Sequence, residues 1–377
     1  MLILYWLSVA FLGYTFLGYP LLLCLVASLR RQKHQRSMIC PKVSLIIPCY
    51  NEGDNLQYKI QNSLSLTYPK DRLEIIVVSD GSEDAPGKIV EKFPDPVLKF
   101  VELPQRRGKH HAQMVARDAS SGEILVFTDA SVLLDENALE TIVSNFSDPR
   151  VGCVSSEDDV VNRAGSGSGE HLYVRLEMWL RRVEAAAGSL VGVSGSFFAA
   201  RRGLCERWHP EQSSDFFIPL HSVQQGLRTI VDPASRGHYG VTRRAREELY
   251  RKIRTIVHGL DVLFTHGELV NPFRFGFFAL QLISHKLFRW LVPFATLTLL
   301  VSNAALWQSG ALYRFTLLLL LALFGCGGLA LLVSRLDRLA LFRTAGFIVL
   351  VNAATLTAWF RFFTGEKFVT WQPTRRS

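Results

Sequence analysis

Acidic side chains follow three short apolar runs in the first half of the chain. Glu52, Asp80 and Asp129 each stand at or just after the end of such a run. Runs of this kind are typical of buried parallel strands, whose carboxyl ends face a ligand crevice in open α/β sheets. The sequence therefore predicts a crevice lined by carboxylates, which suits the chemistry of a nucleotide site.

Asp129 and Ser131 form an Asp-x-Ser pattern directly after the third run. Alternate residues of an extended segment point to the same side, so the two side chains can present oxygen atoms together. A divalent cation that bridges a diphosphate needs hard oxygen ligands of this type. The pattern predicts a site for Mg²⁺ or Mn²⁺ in which Asp129 is the acidic ligand and Ser131 a neutral, weaker one.

Asp80 is followed by Gly81, and we expect its carboxylate to be exposed at the edge of the sheet, where it can bind a uracil or ribose edge. A helix N-cap or an Asx-turn explains the same residue equally well. Lys109 follows two arginines and a glycine at a predicted helix start, which favours phosphate binding, although an ordinary basic helix start fits too. His110 and His111 lack metal-ligand spacing and are interpreted as surface or capping residues.

Asp215 is an isolated acid placed just before the apolar run from Phe216 to Leu220. A carboxylate that is desolvated in this way has a raised pKa and can accept a proton from an attacking hydroxyl. An acid at the start of a helix accounts for the local sequence equally well.

Strand and helix patterns alternate from Pro41 to Phe146, which predicts a mostly parallel, doubly wound sheet. A further strand begins at Val151, and residues 165–169 form a Gly-Ser loop. A helix over 170–187 precedes a small-residue strand or turn over 192–202. The alternating strands are expected at 43–47, 74–78, 98–102 and 124–128, and the helices near 54–66, 85–93, 109–119 and 135–146.

Four apolar segments approach the length of about 20 residues that a membrane span requires. They cover residues 2–29, 291–307, 315–333 and 345–360. The first lacks a basic start and a cleavage site, so we interpret it as a retained anchor. The predicted division is an anchor over 1–29, a cytosolic domain over 40–270, an interfacial helix over 271–290, about three transmembrane helices over 291–363 and a basic tail over 364–377.

The net charge of +9 and the isoelectric point near 9.3 come largely from basic residues beside the apolar segments. The cluster Arg30, Arg31, Lys33 and Arg36 directly follows the first segment, which places the domain in the cytosol at the plasma (inner) membrane. This pattern indicates contact with membrane lipids and no nucleic acid. One anchor and three later spans would leave the basic tail outside, so either one apolar segment lies in the interface or the tail is exported.

Taken together and in this order, the motifs resemble those of family 2 glycosyltransferases, the group that includes cellulose, hyaluronan and poly-N-acetylglucosamine synthases. The resemblance runs from about Lys42 to Trp290. It implies an α/β GT-A fold, a Rossmann-like mixed sheet that is mostly parallel and flanked by helices, here with added transmembrane α-helices. The motifs that carry it are Ile47-Pro48-Cys49-Tyr50-Asn51-Glu52, Val78-Ser79-Asp80-Gly81-Ser82, Arg107-Gly108-Lys109, Phe127-Thr128-Asp129-Ala130-Ser131 and Gly192 to Arg202.

The resemblance also implies roles for individual residues. Asp80 would hold the nucleotide, Asp129 the nucleotide and metal, and Asp215 would be the catalytic base. The matched motifs add Pro48, Tyr50, Glu52 and Lys109 to the residues expected to bind the nucleotide sugar.

Two departures from the family pattern bear on activity. Ser214 stands where the family usually has a second acid before the base. The Gln-x-x-Arg-Trp motif of the polymer synthases is represented either by residues 251–255 or by residues 286–290. Spacing favours the first, in which Arg251 and Arg254 would contact phosphate or acceptor, but Gln and Trp are absent there, which weakens the case for processive polymerisation. If so, residues 285–290 are interpreted as a segment at the membrane–water interface, in which Lys286 and Arg289 reach lipid headgroups.

These features predict an inverting, metal-dependent membrane glycosyltransferase. It would transfer a sugar from a nucleotide sugar, with UDP as the expected nucleotide, to a growing polysaccharide or a lipid-linked acceptor. Transfer of a single sugar to a polyprenyl phosphate carrier is the alternative within the class. A catalytically inactive membrane scaffold that senses nucleotide sugars is the alternative from another class.

Overall fold

The computed structural model describes residues 1–30, 32–161, 169–240, 245–333, 335–336, 339–366 and 368. Three sequence predictions fall wholly or partly elsewhere. Arg31 of the basic cluster, residues 165–168 of the Gly-Ser loop, and the basic tail apart from residues 364–366 and 368 lie outside the described residues.

The described chain folds into one mixed sheet with helices on both faces, joined to long apolar helices. The strands are β1 Val43–Cys49, β2 Leu73–Asp80, β3 Leu98–Leu103, β4 Ile124–Thr128, β5 Leu133–Leu134, β6 Val151–Val161, β7 Phe197–Arg201 and β8 Arg228–Gly240. The α-helices are α1 Leu2–Gly13, α2 Tyr19–Arg30, α3 Gly53–Leu64, α4 Pro86–Val90, α5 Lys109–Asp118, α6 Ala138–Val143, α7 Gly169–Ala187, α8 Ser214–Gln224, α9 Ala245–Thr265, α10 Pro272–Phe275, α11 Phe277–Leu282, α12 Phe288–Ala305, α13 Ala311–Leu332 and α14 Ala340–Phe363. Tyr14–Gly18 and Ile283–Leu287 are π-helical, and short 3₁₀ turns occur at Lys70–Arg72, Ser144–Ser147, Arg202–Leu204, Gly267–Val270 and Trp307–Ser309.

The sheet has the strand order β3-β2-β1-β4-β7-β6-β8-β5. Strands β3, β2, β1 and β4 are mutually parallel, as the alternating pattern predicts. Every residue of β1, β2 and β4 is buried, because helices cover both faces of a parallel sheet. Strand β7 runs antiparallel between β4 and β6, and this insertion extends the sheet beyond its parallel half.

The predicted strands match closely, whereas two predicted helices are shorter than expected. Helix α4 ends at Val90 instead of residue 93, because Phe93 precedes Pro94 and a residue before proline disfavours the helical conformation. Helix α6 covers only Ala138–Val143 and continues as a 3₁₀ turn. The pairing of β5 with the long strand β8 has no counterpart in the predicted elements.

Four helical segments are long and apolar enough to span a membrane: Leu2–Arg30, Phe277–Ala305, Ala311–Leu332 and Ala340–Phe363. The first and second each contain one of the π-helical segments. These two segments touch, since the Tyr14 hydroxyl lies 2.9 Å from the Ser284 hydroxyl.

The second segment differs from the predicted interfacial helix over 271–290. Only Pro272–Phe275 forms a separate short helix, and Phe277–Ala305 is continuous. Arg289 donates to Glu177 of α7 at 2.8 Å, and the Lys286 ammonium lies 5.4 Å from the centre of the Phe216 ring. Both cations therefore turn toward the catalytic domain and not toward headgroups, because buried carboxylates and an aromatic ring are available there.

Helix α14 lies along α9 for most of its length. The Lys252 ammonium is 4.9 Å from the Phe347 ring centre, and the Phe264 ring is 5.1 Å from that of Phe362. Between these contacts, Ile253 and Val257 of α9 pack with Ala354 and Ala358 of α14. The two helices thus run side by side in the same direction, and His258 of α9 further bonds the Phe368 carbonyl at 2.6 Å.

Glu74 ties the start of the parallel sheet together. Its carboxylate accepts hydrogen bonds from the Ser44 hydroxyl at 2.6 Å, from Lys99 Nζ at 2.6 Å and from the amides of Ser121 and Gly122. Burial alone would raise the pKa of Glu74, but these donors lower it from 4.5 to about 2. The folded protein therefore favours the ionised carboxylate.

We expect Glu74→Gln to lower the free energy of unfolding by about 1–3 kcal/mol at pH 7, because hydrogen bonds to a charged acceptor are lost. The wild-type advantage is fully present above pH 4.5 and is lost as the pH falls toward 2, since the depressed pKa lies in the folded state. Denaturation of detergent-solubilised protein at pH 7 and pH 3 measures this. Glu102→Gln, at an exposed position on β3, is the control. A difference between wild type and Glu74→Gln that is the same at both pH values would contradict the assignment.

Candidate active site

A cavity of about 250 Å³ opens at the carboxyl ends of β1 and β4. Strand order explains its place, because polar loops after neighbouring parallel strands meet at one edge of the sheet. Its wall includes Pro48, Glu52, Lys109, Asp129, Ser131, Asp158, Arg181, Ser194, Gly195, Ser196, Asp215, Tyr239, Arg251, Arg254 and Thr255. Most residues selected from the sequence are therefore brought together here.

Asp129 and Lys109 form an ion pair across the cavity wall. Asp129 follows β4, and Lys109 is the first residue of α5. The Lys109 ammonium also donates to the Gly195 carbonyl at 3.1 Å. This lysine therefore joins the acidic loop to the segment that precedes β7, and it presents positive charge where a diphosphate would bind.

Lys59 lies beneath the loop that carries Asp129 and Ser131. Its side chain is 0% exposed, and Nζ donates to the Thr128 hydroxyl at 3.0 Å and to the Val132 carbonyl at 2.6 Å. Burial lowers the pKa of Lys59 to about 7, although the negative charge of Asp129 acts to raise it. Nothing in the local sequence of α3 distinguishes this lysine from a surface lysine, because its partners lie in a distant loop.

Asp215 stands in the first turn of α8, close to Gly195. The Val193 amide donates to the Asp215 carbonyl at 2.9 Å, which fixes the helix start against the cavity wall. A Cβ on Gly195 would lie 2.8 Å from Asp215 Oδ2, so only glycine allows this approach. The predicted base therefore lines the cavity with its carboxylate against the 193–195 backbone.

Ser214 stands at the position where the family usually has a second acid, and its side chain has a different role here. Ser214 is buried, and its hydroxyl donates to Gln113 Oε1 at 2.9 Å, which joins α8 to α5. His110 is not a free surface residue, but the capping alternative agrees with its contact to the first amide of α8. Its ring lies between those of Trp208 and His258, its Nδ1 is 3.4 Å from the Ser214 amide, and burial lowers its pKa well below the usual range.

Helix α9 supplies the basic side of the cavity. Arg251 and Arg254 both line it, as the first candidate segment predicts. Arg251 is held by Glu248, with Nε at 2.9 Å. Burial lowers the pKa of Arg254, while the nearby carboxylates of Asp129 and Asp215 act to raise it. One guanidinium thus interacts with both the predicted metal ligand and the predicted base.

Asp80 and Tyr50 do not line the cavity as described. The expectation that Asp80 exposes its carboxylate is wrong: the side chain is 0% exposed, and it accepts from the amides of Arg107 at 2.7 Å and Gly108 at 2.8 Å. The cause is Gly81, whose φ of +65° turns the chain so that a Cβ there would lie 2.6 Å from the Arg106 amide nitrogen. Asp80 thereby positions the loop that leads into Lys109.

Tyr50 faces the loop that Asp80 holds. The Arg106 guanidinium lies 3.9 Å from the centre of its ring, which is a close cation–π stack. Binding of a nucleotide by either Asp80 or Tyr50 stays a prediction.

The sequence patterns did not identify Asp158, Ser194 and Ser196. Asp158 Oδ1 accepts a hydrogen bond from the Ser194 hydroxyl at 2.6 Å and another from Ser196. Asp158 lies on β6, which reaches the cavity only because β7 is inserted antiparallel beside β4. Their spacing in sequence carries no signal for this contact.

The donor set suits a divalent cation that is shared with a bound diphosphate. Among the described residues, no group of three or more His, Cys, Asp or Glu side chains could hold a metal ion alone. Asp129 and Ser131 offer one carboxylate and one hydroxyl at the cavity wall. Mg²⁺ is commonly bound by one or two carboxylates together with substrate phosphates, so this set fits.

Comparison with known proteins agrees with this geometry. Residues 44–208 match the family model described as Glycosyl transferase family 2. A solved mannosyltransferase from Pyrobaculum calidifontis, in complex with GDP-Man and Mn²⁺, superposes with a TM-score of 0.71 and 26% identity, over 97% of this chain and 100% of that one. The fold is that of a GT-A glycosyltransferase.

Residues 44–208 thus have the sequence pattern of a family 2 glycosyltransferase domain. Poly-beta-1,6-N-acetyl-D-glucosamine synthase of Staphylococcus epidermidis is 30% identical over 159 residues, which are 41% of this chain and 38% of that protein. The same enzyme from Staphylococcus aureus strain MSSA476 is 29% identical over an equal length. The alignment thus spans 38% of the length of these curated relatives.

We expect Asp129→Ala to weaken metal-dependent nucleotide binding about tenfold or more, because the cation loses its only carboxylate ligand in the pair. Titration of UDP and GDP with and without Mn²⁺ measures the metal-dependent part of the affinity. Asp135→Asn is the matched control, since Asp135 is a nearby acid just after β5 that bonds His238 at 2.8 Å. An unchanged metal-dependent difference in Asp129→Ala would mean that Asp129 only caps the strand.

Proposed function

We propose that this protein transfers a sugar, with inversion at the anomeric carbon, from a nucleotide sugar to a glycan or lipid-linked acceptor at the membrane. The observation that carries the proposal is the arrangement of the cavity. Asp215 faces it from α8, while Lys109 and Asp129 face it from α5 and β4. The proposed base, Asp215, and the proposed diphosphate-binding pair, Lys109 and Asp129, thus line the same cavity from different elements.

This separation supports inversion. The acceptor hydroxyl attacks the anomeric carbon while the bond from that carbon to the diphosphate oxygen breaks, and the nucleoside diphosphate leaves. Asp215 takes the hydroxyl proton, and Lys109 and Arg254 stabilise the negative charge on the leaving diphosphate. A divalent cation held by Asp129 and Ser131 would supply further charge neutralisation when bound.

The donor is a nucleoside diphosphate sugar, with a UDP sugar as the first candidate. The name of the staphylococcal relatives, poly-beta-1,6-N-acetyl-D-glucosamine synthase, supports an N-acetylglucosamine donor. A GDP sugar is the second candidate, because the mannosyltransferase that aligns with 97% of this chain was solved with GDP-Man. Release of UDP or GDP from a panel of nucleotide sugars, with Mn²⁺ or Mg²⁺ present, distinguishes them.

Short addition, and not a long polymer, is the favoured outcome. Arg254 and Thr255 line the cavity at the position where the polymer synthases have Arg and Trp. Threonine offers no aromatic platform for an acceptor sugar. Counting the sugars added per acceptor tests this part of the proposal.

We expect Asp215→Asn to lower the transfer rate by about 10² to 10⁴, because a general base acts in the transition state. Nucleotide affinity should stay close to the wild-type value. Turnover and affinity are measured on the same preparation, with Asp118→Asn, an exposed acid on α5, as the control. Full activity in Asp215→Asn would remove this residue from the mechanism.

The catalytic domain lies on the cytosolic side, and α14 stays on that side as an interfacial helix. Its contacts with α9 support this position, because Arg251 and Arg254 of α9 line the cavity and cannot enter the hydrocarbon core at low cost. The Trp359 indole also donates to the Trp290 carbonyl at 2.9 Å, near the domain end of the second apolar segment. Three crossings then leave the C-terminus with the catalytic domain, in agreement with its basic sequence.

Reporters fused after Arg36 and after Ser377 should both behave as cytosolic, and one fused after Gly310 as exported. The Gly310 fusion is the internal control, since it follows α12 and precedes α13. An exported reporter after Ser377 would mean that α14 crosses the membrane. An exported reporter after Arg36 would separate the cavity from cytosolic nucleotide sugars and end the donor proposal.

A further inference from the structure

Arg181 is a cavity-lining cation that lacks a full set of partners. It lies on α7, and its Nη1 atom is buried without a hydrogen-bond partner among the described residues. Its Nε atom is 3.7 Å from Glu177 Oε1, a distance too long for a strong hydrogen bond. A buried donor left in this state costs free energy unless something binds it.

Lys286 is a second cation without polar partners among the described residues, and it lies near Arg181 behind the cavity wall. It belongs to the Phe277–Ala305 segment and turns away from lipid toward the ring of Phe216. In the part of the chain that the structure covers, its ammonium has no hydrogen bond and no ion pair. A Cβ on Gly192 would lie 3.5 Å from the ammonium nitrogen, so Lys286 borders the backbone segment that forms the cavity wall.

The two carboxylates nearby already have basic or hydroxyl partners, and Glu184 uses only Oε1 for them, since its buried Oε2 has no partner among the described residues. Glu177 accepts from Arg289 at 2.8 Å and bonds His285 at 3.1 Å. Glu184 accepts from Tyr19 at 2.5 Å and bonds His285 at 2.6 Å. Three basic side chains, those of Arg181, Lys286 and Arg289, thus face two carboxylates, which leaves positive charge at the membrane side of the cavity.

The backbone segment 192–195 contacts Lys286, Asp215 and Lys109 in turn. Lys286 borders Gly192, Asp215 contacts Val193 and Gly195, and Lys109 binds the Gly195 carbonyl. Three residues of chain span at most about 10 Å. Along this segment the contacts of Asp215 therefore lie between that of Lys286 and that of Lys109, or coincide with the latter at Gly195.

We propose that Lys286 and Arg181 bind the phosphate of a lipid-linked acceptor, whose first sugar hydroxyl then reaches Asp215. This rests on the proposed transferase function and adds the chemical class of the acceptor. The lipid chain would extend along the Phe277–Ala305 helix, which carries Lys286 into the membrane. Direct binding separates this proposal from the transferase proposal, because it needs neither donor nor turnover.

The test measures binding of radiolabelled farnesyl phosphate to the full chain in nanodiscs of phosphatidylcholine. Lys286→Met should weaken binding on the order of tenfold, and Lys286→Arg should restore most of it. Farnesol should not compete, which shows that the phosphate is recognised. Inorganic phosphate and phosphatidylglycerol should compete only weakly, because each lacks either the lipid chain or a terminal phosphate.

Arg274→Met is the matched control, since Arg274 is an exposed cation on α10 close to the same apolar helix. Equal loss in both variants would mean general attraction to cationic surface and would overturn the proposal. Equal binding by wild type and Lys286→Met, or equal competition by farnesol, would overturn it too. Mn²⁺-dependent UDP and GDP affinity should be unchanged in Lys286→Met, which checks that the variant is folded.

If the transferase proposal is wrong but the lipid-phosphate site exists, the experiments give a different combination of results. No nucleotide sugar in the panel would release its nucleotide, whereas farnesyl phosphate would still bind to wild type more tightly than to Lys286→Met, by the same factor as above. With an active donor, Lys286→Met should raise the KM for the lipid acceptor and leave the KM for the nucleotide sugar unchanged. A change in the donor KM alone would assign Lys286 to the nucleotide side and contradict the inference.

Discussion

The pairing of two buried carboxylates on α7 with basic residues of the second apolar segment is the constraint on which the rest of the structure depends. Glu184 bonds both Tyr19 of α2 and His285, and Glu177 bonds His285 and Arg289. Removing one partner of such a buried group typically costs about 3–5 kcal/mol, because the remaining charge is left uncompensated. The membrane helices and the catalytic domain are therefore held in one relative arrangement, which keeps Lys286 beside Gly192 and Arg181 at the cavity wall.

Helix α9 connects the cavity to the apolar helices. One side of it carries Arg251 and Arg254 into the cavity, and another packs on Ala354 and Ala358 of α14. At Gly259 the helix comes so close to α12 that a Cβ would lie 2.7 Å from the Trp290 ring. The basic side of the active site thus rests directly on apolar helices, so the site is built at the membrane surface and not at a distance from it.

Local patterns predicted the parallel half of the sheet because its strands are continuous apolar runs with polar ends. Asp129, Lys109 and Asp215 were found for the same reason: each stands at an element boundary that the sequence marks. A strand or turn was predicted over 192–202, where β7 forms, but its antiparallel place between β4 and β6 could not be predicted, since it depends on pairing between distant segments. Asp158, Lys59 and Arg181 reach the site only through such long-range packing, and their local sequences carry no sign of it.

For Asp80, the local sequence could not predict the direction of the side chain. Its position after a strand was read correctly, but the direction of its carboxylate depends on the loop that folds over Gly81. The same holds for residues 285–290, whose basic and aromatic composition is typical of a membrane boundary. Their side chains turn inward because α7 offers carboxylates on that side, and α7 is a hundred residues away in sequence.

The two π-helical segments at Tyr14–Gly18 and Ile283–Leu287 meet through Tyr14 and Ser284. A π turn accommodates one residue more than an α turn, and each residue rotates a helix by about 100°. Tyr19 and His285 face Glu184 only in the register that these extra residues create. Losing one residue from a single segment would turn its half of the contact toward lipid, so the two segments act as one matched joint between the first and second apolar helices.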